Sequence, residues 1–562
     1  MLRELSIVLF LALGASICGA SGSDMVKGET GRRLPIFPKS ALPAKSMAHV
    51  DLLKAPDDLR FAVTVLQGLV NRTQPRIYIS QEPGWHGSML IAKWIDGLKN
   101  RGYSFVETPD PLALITQFRD SIKGAVIYES NLKENPESLH KLNSITLYCA
   151  IYDAIPLTEE LNAKLKLPVL LDVRGKYNNA LEAYKWAYTD LWPKANHKLV
   201  AHTHPTHIVL RDYLVAHKIM PFWISQGMDK ASEEVCLRFV DETEANSPLI
   251  GCWGGYGEIP AGRMNEPSLQ RLASLRGKFV VVVDGCFDLT VHSGLPFKKV
   301  ANINSGRKLK LDRSKVYVCF NVTDGDNLQY LQQYFASEQW WADPNRGKVP
   351  IGWSMSPNAA ELFPDILEYY LTTKTDNDEF VTPTGGVGLV TPALYGKDLY
   401  SNHDKVYKDY IRLTSDAMKR VGLVTIQLGD TSSVPWTRAD FDVWAKEIPF
   451  LQGIIGDYGG ILGINRSDAA YLLSRDVPVA RAIIGSPDPT SRGSNPSKVW
   501  ADVVRNAAPA ERPAFIHASV INWFDSPTSI MKAVEALGPE YVPVLPTEMF
   551  DLMRQAKASD RE

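Results

Sequence analysis

Nine short apolar runs in the second half of the chain constrain its fold more than any other feature. They lie at 249–253, 278–284, 316–322, 349–353, 423–428, 453–455, 477–484, 514–520 and 541–545. Helical periodicity fills many of the intervals between them, as at 359–371, 404–421, 438–447 and 497–506. A strand that returns through a helix must lie parallel to the one before it, because the connection is long enough to cross over. Eight or nine such units over about three hundred residues predict a β/α barrel of the TIM type, regular or distorted. The run Val316-Tyr-Val-Cys-Phe-Asn-Val322 has no charge and is β-branched or aromatic almost throughout, as a strand buried on both faces requires. It breaks at Thr323-Asp324-Gly325-Asp326-Asn327, and helical spacing resumes at Leu328.

The first half alternates in the same way. A helical pattern through 58–71 is followed by a strand pattern at 76–80, a helical pattern at 89–99, and strand patterns near Phe105 and at 124–128, 145–151 and 169–173. This predicts a Rossmann- or flavodoxin-like α/β domain over 49–245, ahead of a barrel domain over 246–562. No Gly-rich phosphate loop follows its first strand, so no nucleotide is assigned. In His202-Thr-His204-Pro-Thr-His207 the first two imidazoles would share one face of an extended chain, as a metal site would need. The segment has no acid near it in sequence and Pro205 bends it, so it reads as a polar connector.

At the N-terminus Arg3 precedes an apolar run over 5–17, and Cys18-Gly19-Ala20 supplies small residues ahead of a polar stretch. The pattern predicts a secretory signal peptide over 1–20 and a flexible lead-in over 21–48, hence a secreted or periplasmic protein. A lipoprotein signal ending at Cys18 fits less well, because bulky Ile17 precedes the cysteine. No later stretch has the length and apolarity of a membrane span. Removal of the signal would leave Cys149, Cys236, Cys252, Cys286 and Cys319, an odd number with no zinc spacing. Cys149, Cys286 and Cys319 sit in apolar runs and are expected to be buried, inert thiols. A formal net charge of −2 offers neither nucleic acid nor an anionic membrane an electrostatic partner.

Acids follow most of the strand candidates: Glu258, Asp284, Asp324 with Asp326, Asp430, Asp457 and Glu548. At equivalent ends of one barrel they would converge on one mouth, where crowding raises some of their pKa values. Trp253, Tyr256, Trp353, Tyr458 and Trp523 are interleaved with them. Acids among aromatic faces in an exported barrel suit an oligo- or polysaccharide. One carboxylic acid protonates the glycosidic oxygen, and a carboxylate attacks or activates water. The catalytic candidates are Asp324 and Asp326, opposed by Asp457 or Glu258. Asn327, Asp284, Trp353, Asp430, Tyr458, His517, Trp523 and Glu548 are candidates for substrate binding. Acid versus nucleophile, and retention versus inversion, stay open. No metal is assigned, although Asp324, Asp326 and Asn327 would offer hard oxygen ligands to Ca²⁺ or Mg²⁺. Two alternatives are a metal-dependent carbohydrate esterase or deacetylase and a non-catalytic glycan-binding protein. The first wants an Asp with two closely spaced histidines, whereas His292, His403 and His517 are scattered.

Several longer segments carry a resemblance. They are Leu66-Gln-Gly-Leu-Val-Asn-Arg72 with Pro75-Arg-Ile-Tyr78, Asp172-Val-Arg-Gly175, Arg211-Asp-Tyr-Leu-Val215, Asp324-Gly-Asp-Asn327, Gly352-Trp-Ser-Met-Ser-Pro357, and Asn377-Asp378 followed by Phe380-Val381. On these residues the chain resembles the GxGYxYP family of glycoside hydrolases, secreted bacterial proteins, over most of its length. The resemblance implies an N-terminal α/β domain and a C-terminal barrel of the glycosidase type. The signature segment reads Gly386-Val-Gly388-Leu389-Val-Thr391-Pro392, with Leu389 and Thr391 where the family has tyrosines. Gly386 and Gly388 are thereby expected at the sugar site, with Tyr395 standing in for the missing hydroxyls. A plain turn is the alternative, and the missing tyrosines are the best argument for a non-catalytic protein.

Overall fold

The computed structural model describes residues 32–559 apart from 82–89, 131, 133–134, 226, 252–265, 302, 305, 325–327, 430–435, 457–469, 485–495 and 523–524. The expected signal peptide lies outside the described residues. From residue 32 onward the expected flexible lead-in is docked instead. Arg32 donates to Lys198 O at 2.9 Å, Glu361 accepts the Ile36 and Phe37 N–H groups at 2.8 and 2.9 Å, and both of those side chains are buried.

Ahead of residue 300 the described strands form three small parallel sheets, not one Rossmann- or flavodoxin-like layer. β1 (Ser46–Asp51), β2 (Ile77–Ser80) and β3 (Ser104–Glu107) are ordered β2-β1-β3. β4 (Gly124–Ile127), β5 (Ala154–Leu157) and β6 (Val169–Asp172) are ordered β5-β4-β6. β7 (Val200–His202), β8 (Pro221–Phe222), β9 (Pro248–Gly251) and β10 (Phe279–Val282) are ordered β10-β9-β7-β8. The runs at 249–253 and 278–284 are therefore not barrel strands. Leu249 pairs with Val200, so a division at 246 would separate hydrogen-bonded neighbours. The run at 145–151 is not a strand either, but part of the helix Lys141–Tyr152. That helix is buried nearly all round, which erases the apolar stripe that distinguishes helix from strand in a sequence.

The helix Asp57–Asn71 ties these sheets together. Asp57 and Asp58 occupy its first turn, where the helix dipole favours acids, and it is buried from residue 61 to its end. Gln67 Nε2 donates to Asp288 Oδ1 at 2.5 Å, and Asn71 Nδ2 donates to Thr290 Oγ1 at 2.9 Å. Asp288 also accepts from the Ile79 N–H, and Thr290 donates to Asp212 through both its N–H and its hydroxyl. Burial pushes the Asp212 carboxyl up to about 6 and that of Asp288 up to about 8. An unfolded Asp titrates near 4, so this folded chain loses stability relative to a neutral side chain as pH climbs from about 4 to about 8. Asp288→Asn keeps an oxygen for Gln67 and Ile79. It is expected to leave stability at pH 4 nearly unchanged and to raise it by several kcal/mol at pH 8, read from urea melts at the two pH values.

β11 (Val316–Thr323), β12 (Ile351–Ser354), β13 (Asp378–Val381), β14 (Thr425–Leu428), β15 (Gly453–Gly456), β16 (Ala470–Leu472), β17 (Pro478–Ile484), β18 (Ala514–Ile521) and β19 (Tyr541–Pro543) form one sheet. Seven of them run parallel in the order β13-β12-β11-β18-β17-β15-β14. The path then returns to its start. The Thr382 N–H, just past β13, donates to Thr425 O at 3.0 Å, and the Gln427 N–H donates to Thr382 O at 2.8 Å. β16 lies antiparallel on β17, and β19 pairs with the first residues of β11. β13 escapes the sequence pattern because half of it is acidic, and both acids are buried with partners. Asp378 accepts from Trp353 Nε1 at 2.8 Å and pairs with Arg346, while Glu379 accepts the Thr547 N–H at 2.9 Å.

Along β11, Val316, Val318, Phe320 and Val322 face the surrounding helices, while Tyr317 and Cys319 face inward. The helix Pro546–Ser559 fills one end of the ring, where Met549, Phe550 and Leu552 join Cys319, Val381 and Ile455 in a separate apolar core. Because β19 pairs with β11 only over 316–318, this plug sits at the N-terminal ends of the strands. Glu548 belongs to it. Its carboxylate pairs with Arg307 at 2.5 Å and accepts the Leu545 N–H at 2.9 Å, so it lies away from the strands' C-terminal ends, where substrate contact was expected. Cys149, Cys236, Cys286 and Cys319 are free, buried thiols. Among the described residues no helix is long and apolar enough to cross a membrane.

Candidate active site at the strand ends

The parallel strands of the ring share one C-terminal end, and there β11 stops at Thr323, β14 at Leu428 and β15 at Gly456. Of the acids expected at this rim, Asp284, Asp324 and Glu548 are described, and of these Asp324 follows a strand of the ring at its C-terminal end. Asp326, Asn327, Asp430, Asp457, Tyr458 and Trp523 lie outside the described residues, as does Glu258, which follows β9 in sequence. Asp324 is half-buried and has φ 79°. The left-handed region costs a non-glycine residue about 1 kcal/mol or more, and Asp is among the few side chains that tolerate it. The turn ends the run of extended backbone and takes the carboxylate out of the strand's alternation. Its charge reaches Tyr330, whose phenol is pushed up first by burial, then by Tyr334 and by Asp324. The Tyr330 hydroxyl donates to Asn522 O at 3.3 Å, which brings the end of β18 beside the helix Leu328–Gln333.

Towards this rim the inward residues turn polar. Tyr317 and Cys319 give way to Asn321 and Thr323 on β11, and Phe515 gives way to His517 and Ser519 on β18. Gln427 Oε1 accepts from Thr323 Oγ1 at 2.9 Å and from Ser354 Oγ at 3.3 Å, and Asn321 Nδ2 donates to Ser354 Oγ at 3.4 Å. Asn321 Oδ1, Ser519 Oγ and both ring nitrogens of His517 are buried without a hydrogen-bond partner among the described residues. Buried polar atoms of this kind are suited to water or to the hydroxyls of a ligand. Burial holds His517 down at about 3, so its ring is neutral near pH 7. His517 is not at the rim, as expected from the sequence, because β18 continues to Ile521 and sets it level with Cys319 inside the ring.

Other expected site residues lie elsewhere. Trp353 faces outward between Phe335 and Trp341, at 5.4 and 5.3 Å, in an aromatic core that leaves it no exposed face. Asp284 follows β10, and its Oδ2 lies 3.5 Å from His207 Nδ1, so the acid missing from the histidine segment in sequence is supplied through the fold. That segment is otherwise held as a connector. Buried Arg211 donates to His207 O and Pro205 O, and His202 stacks on Trp223 at 4.7 Å. Among the described residues no group of three His, Cys, Asp or Glu side chains is placed to hold a metal. The chain after Asp284 is stitched to the helix that follows Asp324. Phe287 N–H donates to Gln332 Oε1 at 3.0 Å, and Gln332 Nε2 donates back to Phe287 O at 2.8 Å. The ends of β10 and of β11 therefore flank one short helix.

The signature segment is a strap. Leu389 pairs antiparallel with Val280 of β10, with N–H···O distances of 2.8 and 3.1 Å. Gly386 has φ 84°, and a Cβ at Gly388 would lie 2.5 Å from Phe279 Cδ2 and 2.6 Å from Val280 O. Leu389 is 3% exposed and Thr391 0%, with the Thr391 hydroxyl accepting from Gln270 Nε2 at 3.2 Å. Gly386 and Gly388 thus clamp the ring to the third sheet and do not line a cleft. Tyr395 does not replace the missing hydroxyls at a sugar site either, since it is buried and donates to Asn246 Oδ1 at 2.8 Å.

Asp525 was not foreseen. It follows β18, is buried, and has its carboxyl pushed up by burial to about 6, against the pull of Trp500 and Ser529. In sequence it only precedes Ser526, the N-cap of the helix Pro527–Leu537, and reads as part of a helix start.

Four family models cover the chain in succession. They are the first domain of GxGYxYP_N over 46–120, the GxGYxYP_N second domain over 122–195, the GxGYxYP third domain over 197–294, and the GxGYxYP putative glycoside hydrolase C-terminal domain over 314–554. These spans coincide with the three sheets and the ring. No curated protein matches the sequence. Among solved structures, the chain is similar to the crystal structure of a putative hydrolase from Bacteroides thetaiotaomicron VPI-5482. The TM-score is 0.75 at 18% identity, over 94% of this chain and 98% of that one. A UDP-GlcNAc 2-epimerase from Methanocaldococcus jannaschii aligns over 78% of this chain and 99% of its own at 12% identity, but with a TM-score of 0.13.

Proposed function

This chain belongs to the GxGYxYP putative glycoside hydrolase family, and from that premise we propose that it cleaves a glycosidic bond at the open end of its seven-strand ring, with Asp324 as one of two catalytic carboxylates. The observation that carries the reading is the position of Asp324, in a left-handed turn at the end of β11, one residue past Thr323, whose hydroxyl donates to Gln427 within the polar lining. The ring is taken as a seven-strand β/α barrel of the TIM type, in which chemistry sits at the C-terminal ends of the strands. The other end carries the apolar plug, which supports placing the substrate at this one.

In the proposed reaction one carboxylic acid protonates the leaving oxygen, and a carboxylate attacks the sugar or activates water. Asp326, Asp457 and Glu258 are the partners suggested by sequence. Asp525 joins them, because a carboxyl raised to about 6 is close to the protonation state a general acid needs near neutral pH. The substrate is an oligo- or polysaccharide, and the N-terminal segment would export the protein to meet it outside the cytoplasm. Scattered histidines speak against the esterase alternative. His292 is in a buried pair with Asp365 at 2.9 Å, His403 is beside Asp404 at a helix start, and His517 is inside the ring. Release of new reducing ends from soluble polysaccharides tests the reading. The wild type is expected to release them and Asp324→Asn to lose that activity, while full activity in Asp324→Asn would overturn the assignment.

A further inference from the structure

A groove of about 550 Å³ opens on the unit built from β4, β5 and β6, on elements that take no part in the strand ends of the ring. Its floor is a row of four rings. Tyr177 stacks on Trp186 at 4.4 Å and 5°, Trp186 lies 6.0 Å from Tyr148, and Tyr148 lies 4.5 Å from Tyr152. Tyr148 and Tyr152 are one turn apart on the helix Lys141–Tyr152, and Trp186 ends the helix Ala180–Trp186. Tyr177 comes from the loop after β6 with φ 51°. A bulky residue in the left-handed region is an outlier, so this loop holds a strained backbone with an aromatic ring on it. An apolar core would bury such rings, yet Tyr148, Tyr152 and Tyr177 are all half-exposed within a concavity, and Trp186 alone is close to full burial at 9% exposure.

The rim is polar and carries one charge of each sign. Asp190 is near enough to Tyr177 to help burial raise its phenol, and Lys194 Nζ donates to the Tyr152 hydroxyl at 2.6 Å. Aromatic faces and edges match the C–H faces of a pyranose, while a carboxylate, an ammonium and phenol hydroxyls match its alternating hydroxyl groups. The balance of charge disfavours a polyanion. We propose that this groove is an accessory site for a neutral polysaccharide chain, which keeps the polymer on the protein at a distance from the cleavage centre. The proposal rests on the carbohydrate reading of the family but not on the role of Asp324.

Affinity electrophoresis of the full chain through gels containing laminarin, xyloglucan, galactomannan or starch tests it, with Asp324→Asn present to prevent cleavage. At least one polysaccharide is expected to retard the protein. Tyr148→Ala with Tyr152→Ala, and Tyr177→Ala separately, are expected to weaken that retardation at least tenfold. Asp190→Ala with Lys194→Ala, both exposed positions, gives a second variant that keeps the aromatic packing and is expected to weaken it several-fold should the tyrosine variants unfold. Unchanged retardation in the folded variants, or no retardation by any of the four polymers, overturns the proposal. Loss of reducing-end release in Asp324→Asn reports on the cleavage centre alone, so the two readings fail separately.

Discussion

Asp324→Asn is expected to lower kcat about a thousandfold or more on whichever polysaccharide the wild type cleaves, with a melting temperature within about 2 °C of wild type. One carboxyl of a catalytic pair contributes proton transfer or covalent attack, and a thousandfold corresponds to about 4 kcal/mol of transition-state stabilisation. The stability half of the expectation follows from the backbone. Asn tolerates the left-handed turn at φ 79° about as well as Asp, and the replacement is nearly isosteric. Rate and stability should therefore separate cleanly. A tenfold or smaller loss of kcat would move the chemistry to another acid, and a large loss of stability would make Asp324 a structural turn residue.

Gly388→Ala is expected to cost about 3 kcal/mol or more of stability while leaving kcat and KM of the folded enzyme unchanged. The new Cβ would meet Phe279 Cδ2 at 2.5 Å and the Val280 carbonyl at 2.6 Å, and a backbone carbonyl in a sheet has no rotamer by which to retreat. The strap would have to lift, straining both hydrogen bonds between Leu389 and Val280 and the 2.6 Å bond from Tyr410 to Gly388 O. Urea unfolding and steady-state kinetics on one preparation distinguish the strap from a sugar subsite. Intact stability with a raised KM would restore the signature glycines to the cleft.

Much of the ring was legible because local physics decides it. The uncharged run of β11 has to be a buried strand, and Thr437 caps a helix, Arg438–Glu447, whose ends the sequence pattern matches to the residue. Partnership between strands was not legible. Nothing local in Leu249 or Val280 says that they join β7 in a third sheet and not β11 in the ring, because parallel order is set by packing across long connections. β13 was hidden by its acids, whose partners Arg346 and Thr547 come from distant parts of the chain. At the strand ends, the turn at Asp324 could be read from the strand–turn–helix break. Trp353 was misread because only the curvature of the ring decides which face of β12 points out. Glu548 was misread because β19 reaches only the first residues of β11. Two segments that carried the family resemblance turned out to be buried joints between distant parts of the chain, through Gln67 on Asp288 and Arg211 on Asn143.

The most direct test is a crystal structure of Asp324→Asn with an oligosaccharide of the cleaved polymer soaked in. A sugar is expected above the end of β11, with a glycosidic oxygen or anomeric carbon within about 3.5 Å of the residue 324 side chain. A sugar bound only in the aromatic groove beside β6, or against the 386–391 strap, would contradict cleavage at the end of the ring.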